Sequence, residues 1–318
     1  MIIRALAGAA VLLLGGAVIA GTASSRDLPY KIPAAGSTVH DVAYASGPEQ
    51  VMDISYPSTP GPHPVMVWIH GGGWTSGDKS DGLPDYLAAE LERNNFVGVA
   101  LDYRLARYAS DGTPVDPFPA AVDDVKTAVR FLKANAGRYD LRGSEILLSG
   151  VSAGGHLAAL AGTSAAVGLL EPANISSGLA GYDSRVRAVI DVVGISDVKA
   201  WGALNSVWAR GPVAAFLGCP EWKGGEVDCP PSAYAPASVS TYLSPVSPPA
   251  FLAYATQDVL VPPAEQGRPL AMQWSAAIGA GNVVYDESPI QGHDLDGRGI
   301  DGARLRDFID GVLAGTIR

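Results

Sequence analysis

The chain has 318 residues, of which 47% are hydrophobic and 17% are charged, a composition typical of a folded domain with a large core. Its formal net charge is −10, and a negative field of this size repels phosphate backbones, which argues against a nucleic-acid partner. The chain has two cysteines and five histidines, which offer few ligands of the kinds usual for zinc, and we expect neither a metal nor a cofactor.

The first 23 residues have the pattern of a secretory signal peptide. Arg4 supplies a positive charge, an apolar run follows over residues 5–20, and the next residues are small. Residues 18–20 (VIA) and 21–23 (GTA) both fit a cleavage site. The pattern predicts export and a folded domain over residues 26–318, with no stable membrane partner after cleavage. An uncleaved anchor is the alternative, because the run approaches the roughly 20 residues that span a bilayer.

Strands and helices alternate along the rest of the chain. Strand-length apolar or alternating stretches occur at residues 39–44, 51–56, 65–69, 96–101, 145–148, 187–193, 251–255 and 282–285. Apolar residues at helical spacing predict helices at 84–93, 120–136, 153–164, 263–278 and 302–314. This alternation predicts an α/β fold, in which helices cover both faces of an open, mostly parallel, twisted sheet.

Residues 198–248 interrupt the alternation. They are rich in proline, glycine and tryptophan and contain both cysteines. A loop region of this length inside a compact domain usually covers a site rather than builds a core, so we predict a cap or rim insertion. In an exported chain Cys219 and Cys229 are most simply a disulfide, with two free thiols as the alternative.

A serine nucleophile is predicted within residues 150–154 (GVSAG). This segment fits the G-x-S-x-G pattern, follows a predicted strand directly and precedes a helix of small residues. That context is typical of a strained strand-to-helix turn that presents the Ser152 hydroxyl near a helix N-terminus, where negative charge is favoured. The alternative is an ordinary helix-capping serine.

A second glycine-rich segment, residues 70–74 (HGGGW), follows the predicted strand at 65–69. Glycines allow backbone N–H groups to approach a substrate oxygen, and a tetrahedral intermediate needs two or three such donors. We assign Gly72, Gly73 and Ala153 as these donors; a flexible glycine turn is the alternative. Trp74 is expected to border an acyl pocket, or equally to be a packing residue.

The general base and its acid are sought after the serine, because they follow it in that order on this type of scaffold. Two histidines lie there: His156 is on the nucleophile's own helix, whereas His293 is in the loop between the last strand and the last helix. We therefore predict His293 as the base. Asp258, after the strand at 251–255, is the predicted acid, and Asp197 after the preceding strand is its competitor.

Together these segments resemble the hormone-sensitive-lipase-like esterases of the α/β-hydrolase superfamily. The matching segments are residues 67–74 (VWIHGGGW), 102–105 (DYRL), 150–157 (GVSAGGHL), 257–258 (QD) with 261–262 (VP), and 292–293 (GH). Trp74 with residues 76–79 (SGDK) resembles the smaller bacterial esterases, which include carbohydrate deacetylases and feruloyl esterases. The resemblance implies the α/β-hydrolase fold for a catalytic domain at 26–318, and a loop-holding role for Asp102, Tyr103 and Arg104.

Two departures from the family are visible. Members often carry a helical cap before the glycine loop, whereas this chain has predicted strands there. Many members also have His-Gly where this chain has Tyr254 and Ala255, which should alter packing rather than chemistry.

The residues and the resemblance together predict an exported serine carboxylesterase that forms an acyl-enzyme on Ser152. We expect a small-molecule ester substrate with a short acyl chain, because Trp74 is bulky and no long apolar lid is recognisable; acetylated or feruloylated carbohydrate is an example. An arylformamidase-like amide hydrolase and a non-catalytic binding module on the same fold are the alternatives.

Overall fold

An eight-stranded sheet organises the protein in the computed structural model. The structure describes residues 33–81, 84–203, 207–293 and 299–318, so the predicted signal peptide at 1–23 lies outside the described residues. Within the described part of the chain, no helix is long and apolar enough to cross a membrane.

The strands and helices are numbered in chain order. The strands are β1 (Thr38–Ala43), β2 (Val51–Ser55), β3 (His63–Ile69), β4 (Val97–Leu101), β5 (Arg107–Tyr108), β6 (Pro114–Val115), β7 (Leu141–Val151), β8 (Ala188–Val192), β9 (Ala250–Gln257) and β10 (Val283–Gln291). The helices are α1 (Asp85–Asn94), α2 (Ala120–Ala134), α3 (Ala153–Ala166), α4 (Val198–Ala203), α5 (Val207–Leu217), α6 (Gly267–Ile278) and α7 (Gly302–Ala314).

The sheet confirms the predicted, mostly parallel arrangement. Neighbouring strands follow the order β1-β2-β4-β3-β7-β8-β9-β10. The strands from β4 to β10 in that order pair in parallel, whereas β1 with β2 and β2 with β4 pair antiparallel. β5 and β6 form a separate antiparallel hairpin, which the sequence did not predict because two residues are too few to show a period.

Helices cover both faces of the sheet, which explains the unbroken apolar strands. In β3 the side chains of Val65 and Val67 pack into a core with helices α2, α3 and α6, whereas those of Met66 and Trp68 pack into a second core with α1 and α7. Successive residues of a strand point to opposite faces, so a strand buried on both faces is predominantly apolar.

The insertion at residues 198–248 differs from the predicted loop. Its first part forms helices α4 and α5, and three short 3-10 turns follow at Pro231–Ala233, Ala235–Ala237 and Val239–Tyr242. Pro212 lies inside α5, and a proline with flanking glycine opposes a helix on propensity alone. Packing of α5 on the domain outweighs that propensity. The predicted disulfide between Cys219 and Cys229 is present.

Candidate active site

The predicted catalytic residues lie at one edge of the sheet. Ser152 follows β7, Asp258 follows β9 and His293 follows β10. The glycine loop at residues 71–73 follows β3, which pairs in parallel with β7. Parallel strands end at the same edge, so the topology brings these four segments together where ligands bind in α/β sheets.

Ser152 occupies a strained turn between β7 and α3. Its φ is 56° and its ψ is −120°, a conformation that costs energy for a residue with a side chain. Its side chain makes no capping hydrogen bond to α3, so the capping alternative is not what the structure shows. Close packing requires the glycines on either side: a Cβ on Gly150 would lie 2.4 Å from the backbone of Gly154, and one on Gly154 would lie 2.0 Å from the Ile69 carbonyl oxygen.

His293 is paired with Asp258. The His293 Nδ1 lies 2.6 Å from Asp258 Oδ2, and Asp258 Oδ1 accepts hydrogen bonds from the N–H groups of Leu260 and Val261 at 2.8 and 2.9 Å. A carboxylate can only accept, so Nδ1 carries the proton and Nε2 is left as a base. Nε2 is buried and makes no hydrogen bond to any residue that the structure describes.

The two competing residues have other roles. Asp197 is exposed, and its Oδ1 accepts a hydrogen bond from the Ala200 N–H at 2.9 Å in the first turn of α4. His156 is fully buried inside α3. The structure therefore pairs the predicted base with Asp258 and not with Asp197.

The glycine loop lies against the nucleophile. A Cβ on Gly71 would lie 3.5 Å from Ser152 Cβ, and one on Gly72 would lie 2.0 Å from the Ser76 carbonyl oxygen. Gly72 has φ +100° and Gly73 has φ +60°, a region open to glycine at little cost. Among the described residues, the N–H groups of Gly72, Gly73 and Ala153 donate to no backbone carbonyl, as oxyanion donors must not.

Of the three residues after β4 to which the resemblance assigned a loop-holding role, Asp102 and Tyr103 bind the region of the glycine loop, whereas Arg104 binds Asp124 of α2 at 2.8 Å. The Tyr103 hydroxyl donates to the His70 carbonyl oxygen at 3.1 Å, and the two rings stack with centroids 4.3 Å apart. Asp102 Oδ1 accepts from the Lys79 N–H at 2.5 Å. Burial lowers the pKa of His70, so this ring is neutral at neutral pH and adds no charge beside the site.

Trp74 takes the packing role rather than the substrate-contacting one. Its side chain is 0% exposed and stacks on Phe216 of α5 with ring centroids 4.2 Å apart. The indole N–H donates to His156 Nδ1 at 3.0 Å. A side chain so enclosed does not line a solvent-accessible pocket. The expectation that Trp74 borders an acyl pocket is therefore wrong, and its alternative role in packing is the one observed.

The sequence indicated no role for His156 beyond that of a candidate base, and its contact with Trp74 was not predicted. This contact joins residues 82 positions apart, and no local pattern signals such a contact.

A mostly parallel eight-stranded sheet, with a serine turn after one strand and an acid–histidine pair after two later ones, defines the α/β-hydrolase fold. The chain belongs to the BD-FAE family, whose model matches residues 52–273. This confirms the resemblance to hormone-sensitive-lipase-like esterases that the sequence motifs predicted.

Known proteins with similar sequences include esterases. Esterase LipC of Mycobacterium tuberculosis is 29% identical over 268 residues, which cover 83% of this chain and 60% of LipC. The probable carboxylic ester hydrolase LipM of the same organism is 29% identical over 237 residues, or 74% of this chain and 50% of LipM. The chain thus spans 50 to 60% of the length of these relatives.

Solved structures with the same fold include carbohydrate esterases. A bifunctional GH43-CE protein of Bacteroides eggerthii superposes with a TM-score of 0.73 at 26% identity, over 89% of this chain and 36% of that one. A truncated carbohydrate esterase from gut microbiota gives a TM-score of 0.72 at 23% identity, over 89% of this chain and 100% of that one.

Proposed function

We propose that this protein hydrolyses carboxylic esters through an acyl-enzyme on Ser152. The observation that carries the proposal is the buried Asp258 carboxylate bound to His293 Nδ1 at 2.6 Å, at the sheet edge where a serine sits in a strained turn. A histidine oriented in this way is suited to deprotonate a serine hydroxyl. The esterases among the similar sequences support the same reaction class.

The proposed reaction assigns one role to each of these groups. His293 Nε2 accepts the Ser152 proton while Oγ bonds to the acyl carbon, and the carbonyl electrons move to the oxygen. The N–H groups of Gly72, Gly73 and Ala153 stabilise that oxyanion. As the intermediate collapses, the bond to the alcohol oxygen breaks and His293 delivers the proton to it. Water, deprotonated by His293, then releases the acid and restores Ser152.

We further propose small esters as substrates, with short acyl groups or with acetyl or feruloyl groups on carbohydrate. The similarity to the bifunctional GH43-CE protein, at 26% identity, supports esters of carbohydrate as substrates. The bulk of Trp74, which the sequence suggested as a limit on acyl length, does not support a preference for short acyl chains because that side chain is buried.

The first experiment compares p-nitrophenyl acetate and butyrate hydrolysis by the wild type and by Ser152→Ala. We expect kcat to fall by roughly 10⁴-fold or more, as happens when a catalytic nucleophile is removed. Ser149→Ala is the matched control. Ser149 is a fully buried serine of β7, the strand that leads to Ser152, and its hydroxyl makes no hydrogen bond to a described residue. It should keep its activity.

The other outcomes separate the alternatives. Equal activity in the wild type and in Ser152→Ala would reject Ser152 as the nucleophile. No ester turnover, combined with fluorophosphonate labelling of Ser152, would favour the amide hydrolase. Neither turnover nor labelling would favour a binding module.

A further inference from the structure

A series of buried hydrogen bonds links the glycine loop to helix α3, which follows Ser152, and to the insertion at residues 198–248. Trp74 directly follows Gly73, and its indole N–H donates to His156 Nδ1 at 3.0 Å. His156 lies on α3, and its main-chain N–H donates to the Ser152 carbonyl oxygen at 3.0 Å. On the other side of its ring, Nε2 lies 2.8 Å from the Ala237 carbonyl oxygen in the insertion.

The two partners fix the protonation of His156. An indole N–H can only donate and a carbonyl oxygen can only accept, so Nδ1 is the acceptor and Nε2 carries the hydrogen. The ring is therefore neutral and held in one tautomer. Burial lowers the pKa of His156 to about 4, which keeps it neutral at neutral pH. His156 is thus a rigid connector rather than a charged group.

Trp74 is restrained on its remaining sides. Its carbonyl oxygen accepts from the Ala106 N–H at 2.8 Å, and its ring makes a T-shaped contact with that of Trp201 from α4 at a centroid distance of 5.4 Å. A Cβ on Gly73 would lie 3.2 Å from Pro212 of α5. The peptide groups on both sides of Trp74 are therefore held by packing and by hydrogen bonds.

Oxyanion stabilisation requires that the donors of the glycine loop and of α3 converge on one oxygen. Gly73 is adjacent to Trp74, and Ala153 is in the same helix as His156. A bond between the side chains of Trp74 and His156 consequently sets the separation of the two donor groups, and a displacement of about 1 Å at such a site can cost on the order of 100-fold in rate.

We propose that His156 is a positioning residue, which holds the oxyanion donors of the glycine loop in register with Ser152 and couples them to the insertion through Ala237. This inference rests on the proposed function, because it assigns a role in serine-catalysed ester hydrolysis. It concerns a residue that touches neither the substrate nor the reacting atoms.

The test compares His156→Phe, Trp74→Phe and His156→Gln with the wild type on p-nitrophenyl butyrate. We expect the two phenylalanine variants to lower kcat by about 10- to 100-fold with little change in KM. Glutamine offers one acceptor and one donor and should restore most of kcat. The double variant should lose no more than the worse single variant, because either change removes the same bond.

A second readout isolates the oxyanion site. An alkyl trifluoromethyl ketone adds to Ser152 Oγ, the proton moves to His293, and the resulting hemiketal oxygen takes the place of the transition-state oxyanion. Its affinity should fall by the same factor as kcat/KM in the phenylalanine variants.

Trp274→Phe is the matched control. Trp274 is as buried as Trp74, and its indole N–H donates to the Pro248 carbonyl oxygen at 2.9 Å, remote in the chain from the glycine loop and from α3. It should lose stability but keep kcat.

Wild-type kcat in both phenylalanine variants, or an equal loss of kcat in Trp274→Phe, would overturn the inference. The inference would also be overturned if His156→Gln lost as much kcat as His156→Phe while its affinity for the trifluoromethyl ketone stayed at the wild-type value. Should His156→Phe fail to fold, Trp74→Phe decides the matter, since it removes the bond from the other side and keeps an aromatic ring. Activity retained in Ser152→Ala would instead reject the proposed function.

Discussion

The two oxygens of Asp258 have separate tasks. Oδ1 is bound by the N–H groups of Leu260 and Val261, so the carboxylate cannot rotate, and Oδ2 is left for His293. The side chain is 0% exposed, and water therefore does not compete for Oδ2. A general base must be held in this type of fixed orientation to act on the serine proton.

Replacing Asp258 by asparagine should change the tautomer of His293 without destabilising the fold. The carbonyl oxygen of the introduced amide can keep the two backbone hydrogen bonds, but its NH₂ group faces His293 Nδ1 and favours the tautomer with hydrogen on Nε2. That tautomer cannot accept the Ser152 proton, and we expect kcat to fall by roughly 10⁴-fold with nearly unchanged KM and melting temperature.

Asp197→Asn is the control for this prediction, since Asp197 is exposed and bound to α4, and its kcat should stay at the wild-type value. An equal loss in both variants would mean that the acid has been misassigned.

A second carboxyl group lies behind the serine turn. Asp191 of β8 pairs in register with Gly150, and its Oδ2 is 3.3 Å from the Tyr254 hydroxyl, which lies 2.8 Å from the Gly194 carbonyl oxygen. The Tyr254 hydroxyl donates to the Gly194 carbonyl oxygen and, over the longer distance, to Asp191 Oδ2. Burial is the largest influence on Asp191 and raises its pKa to about 7.

The raised pKa of Asp191 predicts a pH-dependent effect of Asp191→Asn. In the wild type, the native state holds a proton that the unfolded chain releases between its ordinary pKa of about 4 and the folded value of about 7. Stability is therefore lost as pH rises through this window. The asparagine side chain can keep the contact with Tyr254 but does not titrate. The free energy of unfolding of the Asp191→Asn variant, relative to that of the wild type, should rise by up to about 1.4 kcal/mol per pH unit.

Urea unfolding at pH 5, 6 and 8 measures this difference. A difference that stays constant with pH would show that Asp191 is ionised in the native state. The position of Tyr254, where the related esterases often have His-Gly, thus affects packing and proton placement beside the serine turn rather than the catalytic pair.

At the scale of elements, α5 is a part of the insertion that packs on the glycine loop. Pro212 packs on Gly73 and Phe216 stacks on Trp74. The disulfide follows directly, and the chain near it is also held by other bonds: Cys219 N–H donates to the Ala214 carbonyl oxygen at 2.9 Å, and the Tyr108 hydroxyl donates to the Cys219 carbonyl oxygen at 2.9 Å.

Removing the disulfide with Cys219→Ser and Cys229→Ser should therefore affect stability more than catalysis. Closing a loop of this length stabilises by roughly 2–3 kcal/mol, so the free energy of unfolding in urea should fall by about that amount. The contacts of α5 with Trp74 persist in the native state, and kcat should stay close to the wild-type value.

Dithiothreitol provides the control for this double variant. It should lower the wild-type stability to that of the double variant and leave the variant unchanged. A large loss of kcat on reduction would mean that the disulfide, rather than the packing of α5, positions the site.

The elements that the sequence predicted well are those whose environment is uniform. A strand covered on both faces, such as β3, is apolar over most of its length, and this pattern is visible in the sequence within two residues of its observed ends. The helices of the insertion were missed because their stability comes from tertiary contacts, such as Phe216 on Trp74, which outweigh the low helix propensity of Pro212. Propensity and periodicity describe neighbours along the chain and carry no information on such contacts.

For the whole molecule, the topology made much of the site predictable. Parallel strands end at one edge, so the order of a serine after β7, an aspartate after β9 and a histidine after β10 predicted Asp258 as the partner of His293, with Asp197 after β8 as its competitor. The direction of the Trp74 side chain was not predictable. Its φ of +62° departs from the extended conformation of the preceding strand and turns the ring towards α3 and α5. The role of His156 depends on that same turn.

We propose that the protein is exported. Two separate features support this proposal, namely the N-terminal residues 1–23 and the disulfide. Disulfides persist in oxidising compartments and are rare in the cytosol, so a chain with a Cys219–Cys229 bond fits the exported chain that residues 1–23 predict. Expressed at full length in a secreting bacterium, the protein should be recovered outside the cytoplasm, with a mass that corresponds to cleavage after Ala20 or Ala23 and without reactive thiols.

Leu12→Arg with Leu13→Arg supplies the matched control, because two charges interrupt the apolar run that the export machinery recognises. This variant should stay in the cytoplasm at its full mass, and its two cysteines should react with a thiol reagent after unfolding. Recovery of the wild type in the membrane fraction at its full mass, with no reactive thiols, would instead establish the anchored alternative. Wild-type protein at full mass in the cytoplasm would contradict both, and would leave the disulfide without an oxidising compartment to explain it.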